Sequence, residues 1–187
     1  MNEFAIFRND EEYMLYMAAQ NVQDEIMTDL ICQGEGFESK EVMPDGFGDC
    51  ILDGYQFRIS DSVPVACFDD STQTLTINPE YVKEERVLYH ELIHLFQHNY
   101  RRTVIPFLLH DAITWRLYKK LVQQIPDLDR RVNQYMSMDN IIQIRHEGGD
   151  HDLLFFLKSL DVDLFKGWTL YTTFGYGLVE RLEVQSV

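Results

Sequence analysis

The chain has 187 residues, 45% of them hydrophobic, and a formal net charge of -15. This size and apolar content predict a single globular domain over residues 1–187 with an ample core. The acidic excess argues against nucleic acids and anionic membranes as partners, because binding to phosphates depends on Lys and Arg. No stretch approaches the roughly 18 apolar residues of a membrane span, and residues 1–10 lack the features of a secretory signal. Three scattered cysteines favour reduced thiols and a cytoplasmic location.

The first predicted element is a helix over residues 10–31, capped by Asn9 or Asp10. Apolar side chains recur along it at helical spacing, which predicts that they face the core. The members of this stripe are Tyr13, Met14, Met17, Ala18, Val22, Ile26 and Leu30.

A small sheet is predicted to follow. Residues 35–54 are rich in turn-forming residues and receive no assigned role, and a short strand is expected at 55–59. Residues 63–68 and 73–77 carry β-branched side chains and flank the turn-forming sequence Asp-Asp-Ser-Thr. They are therefore predicted to form a β-hairpin.

The next helix is predicted to begin at residues 78–80, which read Asn-Pro-Glu, because Asn caps helices and Pro is favoured at their first position. It is expected to end near Tyr100. Three histidines on it, up to His98, would span about 12 Å along a straight helix axis. One ion could not reach all three, so a structural or supporting role is expected for His98.

Residues 90–94 of this helix read His-Glu-Leu-Ile-His. Residues four apart lie on one face of a helix, so His90 and His94 can direct ring nitrogens at one metal ion. Zinc accepts neutral imidazole, and a catalytic zinc site keeps one position open for water. Glu91 lies about 100° around the helix from His90, from where its carboxylate can take a proton from that water.

Residues 73–122 resemble the active-site region of the zincin metallopeptidases, and the His-Glu-x-x-His core is the specific part of the likeness. The extended metzincin signature is absent, so the segment is more similar to gluzincin-like or minimal zincins. The resemblance implies a third ligand from a later helix. It also implies that the strand before the motif, residues 73–77, is a sheet edge that pairs with an extended peptide; a plain hairpin without a ligand is the alternative.

A third helix is predicted from Pro106 to about Gln124, and its first turns carry His110 and Asp111. The families that the segment resembles usually use Glu as the later ligand, and this helix has none. Zinc accepts either His or Asp. Asp111 is favoured because a carboxylate offsets part of the charge of the ion, with His110 as the alternative, and a site that uses neither remains open. Residues 128–138 are predicted to form a fourth helix.

Residues 146–152, His-Glu-Gly-Gly-Asp-His-Asp, form a second concentration of metal-binding groups. They can supply a ligand or a group that stabilises an oxyanion. The other interpretation is a loop in which Asp150 or Asp152 caps a helix over residues 153–160. The aromatic segment 168–179 is interpreted as core, with a strand pair or a cleft-lining loop as alternatives.

These predictions combine into an α+β, zincin-like domain in which a small sheet packs on a helical half that contains the His-Glu-x-x-His helix. His90 and His94, with Asp111 or His110, bind Zn2+. Glu91 activates the metal-bound water for hydrolysis of a peptide bond in a peptide or protein substrate. One alternative is a non-catalytic zincin-like binding or regulatory module. Another is a structural zinc site that the second concentration of metal-binding groups closes with a fourth ligand.

Overall fold

The computed structural model of the protein describes most of the chain. The described residues are 7–31, 52, 54–69, 71–101, 106–137 and 151–175. Among them, some side chains lie outside the description, namely those of residues 23–31, 96, 98–101 and 106–113. Most of the turn-rich stretch 35–54 and the end of the aromatic segment 168–179 also fall outside it.

The described part is an α+β structure with five α-helices and a three-stranded sheet, which confirms the predicted class. Its contacts divide the chain into two compact units, Met1–Ile105 and Pro106–Val187. The single domain expected from chain length stays a prediction. None of the described helices combines the length and the apolar character that a membrane span requires.

The first unit contains two helices and the sheet. In chain order its elements are α1 (Asp10–Ile31), β1 (Gln56–Ile59), β2 (Ala66–Asp69), β3 (Thr74–Ile77) and α2 (Glu85–Arg101). Helix α1 packs against β1 and α2, and α2 packs against β2. The core of this unit therefore forms where both helices meet the sheet.

Helix α1 begins as predicted, because the Asn9 side chain accepts a hydrogen bond from the Glu12 N–H at 2.9 Å. In the predicted core stripe, Val22 is buried as predicted, but Tyr13, Met14, Met17 and Ala18 are exposed. The side chains of its other two members, Ile26 and Leu30, lie outside the description. The buried positions are Glu12, Leu15, Ala19 and Val22. These four keep the helical spacing, but apart from Val22 they lie on a row next to the predicted one, and this row includes the carboxylate of Glu12.

Pairing explains how a carboxylate can lie on the buried face of α1. Glu12 Oε1 lies 2.8 Å from Arg8 Nε, and Oε2 lies 3.3 Å from Arg58 Nη1. Burial alone would raise the pKa of Glu12, but the hydrogen bonds from Arg8 and the charges of both arginines outweigh it and lower the pKa. A charged residue can occupy a core position when its charge is met in this way.

The sheet has the strand order β1-β3-β2. The predicted hairpin is confirmed, since β2 and β3 pair antiparallel with Phe68 opposite Leu75. Strand β1 pairs parallel with the other side of β3, with Phe57 opposite Leu75. The prediction that residues 73–77 form an exposed sheet edge is therefore wrong: β3 is central, and among the described strands β1 and β2 are the edges.

Helix α2 begins later than the sequence predicts. Asn78 does act as a cap, accepting from the Glu80 N–H at 3.0 Å. The N–H groups of Tyr81 and Glu84 then bond to carbonyls three residues earlier, which is the pattern of a 3-10 turn. The Asn-Pro signal thus starts one separate turn, Pro79–Tyr81, and the α-helix starts at Glu85.

The second unit is helical in its described part, with α3 (Pro106–Leu121), α4 (Leu128–Ser137) and α5 (Leu153–Lys166). All three helices were predicted, although α3 ends earlier and α5 runs further than expected. Asp152 caps α5 by accepting from the Phe155 N–H at 2.9 Å, which selects one of the two predicted caps. Helix α5 packs on α3 and is buried from Leu154 to Asp163.

Residues 168–175 form turns after α5. Tyr171 and Phe174 are buried, which confirms that these aromatics are core. The alternative of a strand pair is wrong for the part of this segment that the structure describes. Asp163 fixes the turns to α5, since its Oδ1 accepts from the N–H and the hydroxyl of Thr173 at 2.8 and 2.7 Å.

Candidate metal centre

Helix α2 carries the His-Glu-x-x-His motif through the core of the first unit. His90 and Glu91 are only 3% and 4% exposed. Their surroundings explain this burial, because the described residues on either side are buried and largely apolar. These residues are Val87, Leu88, Tyr89, Leu92, Ile93 and Leu95. The motif therefore lies on a helix that cannot rotate without exposing apolar surface to water.

The two motif histidines lie against each other. Their ring centroids are 5.0 Å apart and the rings are inclined at 77°, as the four-residue spacing predicts. His94 Nδ1 lies 3.3 Å from Oε1 of the buried Gln97. An amide oxygen only accepts, so this contact favours the tautomer with the proton on Nδ1, in which Nε2 is the unprotonated nitrogen that can bind a metal.

Sequence reasoning missed Gln97. Its signal is a polar residue in an apolar helical run, three positions after a candidate ligand. Metal-binding histidines commonly donate their second ring N–H to such a group. The role of Gln97 would thus be to orient His94.

A third histidine joins the pair. The ligand atoms of His90, His94 and His151 all lie within 4.8 Å of one another, which is close enough to hold one metal ion. His151 belongs to the second concentration of metal-binding groups, for which a ligand was one of the interpretations. Within the described residues, no further His, Cys, Asp or Glu joins the three. Three imidazoles suit zinc, copper, iron or nickel.

The favoured third ligands stay predictions. His110 and Asp111 lie on α3, in the helix where they were expected. Their side chains fall outside the description, so their distance from the motif histidines is not defined. His151 is the third ligand candidate that the described side chains provide.

His151 lies two residues before α5. Its backbone carbonyl accepts a hydrogen bond from the Tyr135 hydroxyl at 2.5 Å. Its ring centroid lies 4.4 Å from that of Phe155 and 5.6 Å from that of Phe174. Backbone and ring are therefore both in contact with buried aromatic residues.

Glu91 lies beside the edge strand β2. Burial raises the pKa of its carboxyl to about 8, and a backbone hydrogen bond from Phe68 offsets the rise in part. On the same strand, partial burial and the charges of Glu91 and Asp69 raise the pKa of the Cys67 thiol. A nearby divalent cation would act in the opposite sense on Glu91, because a positive charge favours the ionised carboxylate.

Comparison with protein-family models, curated proteins and solved structures finds no match to this chain. The resemblance to zincins therefore rests on residues 90–94 and stays a prediction.

Proposed function

We propose that this protein is a zinc-dependent peptidase with a zincin-like fold, in which His90, His94 and His151 hold the metal and Glu91 is the general base. The main support is the set of three imidazoles within 4.8 Å of one another. Two of them flank a buried carboxylate on one helix. This combination of three ligands and an adjacent base is what metal-assisted hydrolysis requires.

The donor set favours zinc among the metals that imidazole binds. Catalytic zinc sites use three protein ligands and leave a further position open, and the described residues offer three. When bound, zinc supplies a Lewis acid that polarises a peptide carbonyl and lowers the pKa of water. The contact with Gln97 favours the tautomer in which Nε2 of His94 is the metal-binding nitrogen.

Glu91 carries the proton transfers in this proposal. It takes a proton from the attacking water and returns it to the leaving amine. Burying a carboxylate is costly unless it has a partner or a task, and Glu91 is 4% exposed. A pure binding module would have no need of that buried carboxyl group, which favours the hydrolase over the non-catalytic alternative.

The substrate in this proposal is an extended segment of a peptide or protein. Such a segment can add to a sheet edge by main-chain hydrogen bonds. The edge strand beside Glu91 is β2, so β2 replaces β3 as the candidate substrate strand. A cytoplasmic location is also part of the proposal, because Cys67 is a free and exposed thiol, which suits a reducing compartment.

Metal content tests the ligand assignment. We expect about one zinc per chain in protein purified without added metal, and its loss in His94→Ala and His151→Ala. His98→Ala, one turn further along α2, is the matched control and should keep the metal. If Asp111→Ala or His110→Ala loses zinc while His151→Ala keeps it, the assignment of His151 is wrong. Elemental analysis that finds no metal, even after zinc is supplied, contradicts the whole proposal.

Substitution of Glu91 tests the reaction. Glu91→Gln keeps the size of the side chain and removes the base, so we expect zinc to stay bound and hydrolysis to fall about 100-fold or more. The measurement is cleavage of a fluorescently labelled, unfolded protein. A wild-type protein that binds zinc and cleaves no such substrate would instead support the non-catalytic binding or regulatory module.

A further inference from the structure

Tyr135, on α4, is a buried tyrosine whose hydroxyl contacts the backbone next to a candidate ligand. Only 1% of the residue is exposed. Its hydroxyl donates to the carbonyl oxygen of His151 at 2.5 Å. A buried tyrosine hydroxyl needs a hydrogen-bond partner, and this one is 16 residues along the chain. The bond therefore joins α4 to the segment that precedes α5.

The ring of Tyr135 is held as firmly as its hydroxyl. It stacks on Phe156 with ring centroids 4.2 Å apart and an angle of 7°. It also meets the Phe174 ring edge-on, with centroids 5.5 Å apart. Phe174 in turn lies 5.6 Å from the His151 ring. One aromatic cluster therefore contacts both the tyrosine and the imidazole.

The backbone after His151 is fixed independently. Asp152 caps α5 through the Phe155 N–H, and its carbonyl accepts the Phe156 N–H at 3.0 Å. The carbonyl of His151 is thus held by Tyr135, while the next residue is held by the helix it caps. Both ends of this peptide unit are therefore held, and the backbone conformation influences which rotamers the His151 side chain can adopt.

We propose that Tyr135 is a positioning residue for metal binding, which acts through the backbone of His151. The inference rests on the proposed function, since it needs His151 to be a ligand. Groups that orient metal ligands without touching the ion commonly change metal affinity 10- to 100-fold when they are removed. Tyr135 differs from the usual case in holding the backbone carbonyl of the ligand and not its second ring nitrogen.

Tyr135→Phe is the test, because it keeps the stacked ring and removes only the hydroxyl. We expect zinc to bind about 10-fold more weakly, as measured by competition with a chelator. We also expect a changed visible absorption spectrum in the cobalt-substituted protein, since that spectrum reports the geometry around the ion. If Tyr135→Phe only destabilised the fold, it would lower the thermal unfolding midpoint of the metal-free protein and leave the cobalt spectrum unaltered.

Tyr171→Phe is the matched control. Tyr171 is also buried and also packs on Phe156, but its hydroxyl accepts from Arg131 at 2.5 Å. We expect its zinc affinity and cobalt spectrum to match those of the wild type. Equal effects of the two substitutions, or no effect of Tyr135→Phe, would overturn the positioning role.

The same measurements separate this inference from the proposed function. If wild type binds zinc, His151→Ala loses it and Tyr135→Phe does not weaken it, only the role of Tyr135 fails. If His151→Ala binds zinc as tightly as wild type, the ligand assignment fails and the role of Tyr135 fails with it.

Discussion

Asp163 shows how a single carboxyl can make stability depend on pH. Its side-chain Oδ1 accepts two hydrogen bonds from Thr173, whereas Oδ2 is buried and has no hydrogen-bond partner among the described residues. Burial raises the pKa of Asp163 to about 6, and the hydrogen bonds from Thr173 offset only part of the rise. The folded protein therefore holds this proton more tightly than an unfolded chain does.

The sign of the resulting pH dependence follows from linkage. Below about pH 4 the Asp163 carboxyl is protonated in both the folded and the unfolded state, so its shifted pKa does not lower the free energy of unfolding. As the pH rises to about 6, the unfolded chain ionises first, and folding loses up to about 3 kcal/mol. We expect Asp163→Asn to reduce the decline in urea unfolding of the metal-free protein between pH 4 and 7 by up to about 3 kcal/mol, with the buried Glu91 carboxyl contributing the rest in the same direction. The control is the exposed Asp61→Asn, which should retain the decline; an unchanged pH profile in Asp163→Asn would contradict the assignment.

Some of the candidate site residues could be predicted from the local sequence pattern, whereas the position of others depends on tertiary contacts. His90, Glu91 and His94 could be predicted because their positions follow from one helix with 3.6 residues per turn. Gln97 was within reach of the same argument. His151 was not, because 56 residues separate it from His94 and its position depends on how two distant segments pack. A sequence pattern alone could only mark residues 146–152 as able to bind metal.

For the secondary-structure elements, the periodicity of the sequence predicted the type of each element more reliably than the face that the element buries. Helix α1 was predicted with its observed bounds, yet its core row was misplaced. The reason is that Glu12 lies on the buried row, and its partner Arg58 is 46 residues away. The edge assignment of β3 failed for a similar reason, since nothing local reveals that β1 pairs with it.

Two adjacent residues of α1 test the revised core row. Leu15 is buried and Met14 is 64% exposed, so the two alanine substitutions should differ strongly. We expect Leu15→Ala to lower the free energy of unfolding by about 2–4 kcal/mol. Met14→Ala, its neighbour and control, should change it by less than about 0.5 kcal/mol. Urea denaturation measures both, and similar losses for the two would mean that the row seen in α1 is not the core face.

At the scale of the whole molecule, metal binding and folding are linked if the proposed site is correct. A ligand that binds only the folded chain stabilises it in proportion to its concentration relative to Kd. Two of the three proposed ligands lie on α2 and the third lies near the start of α5. An unfolded chain would not hold these histidines together, so zinc should favour the folded state.

Thermal unfolding with zinc or with a chelator measures this linkage. Zinc at about 100 times Kd should stabilise the wild type by about 2.7 kcal/mol and raise the unfolding midpoint. Glu91→Gln should keep the gain, because the carboxylate is not a proposed ligand, whereas His94→Ala should lose it. A zinc effect that persists in His94→Ala would have to come from some other part of the chain.

The central position of β3 has a kinetic consequence. Only residues 70–73 separate it from β2, whereas residues 60–73 separate it from β1. Closing the shorter loop costs less conformational entropy, and both neighbours must add to the same strand. We therefore expect the hairpin to form in the folding transition state and β1 to join later. In stopped-flow experiments, Thr76→Ala should slow refolding, and Gln56→Ala should mainly speed unfolding.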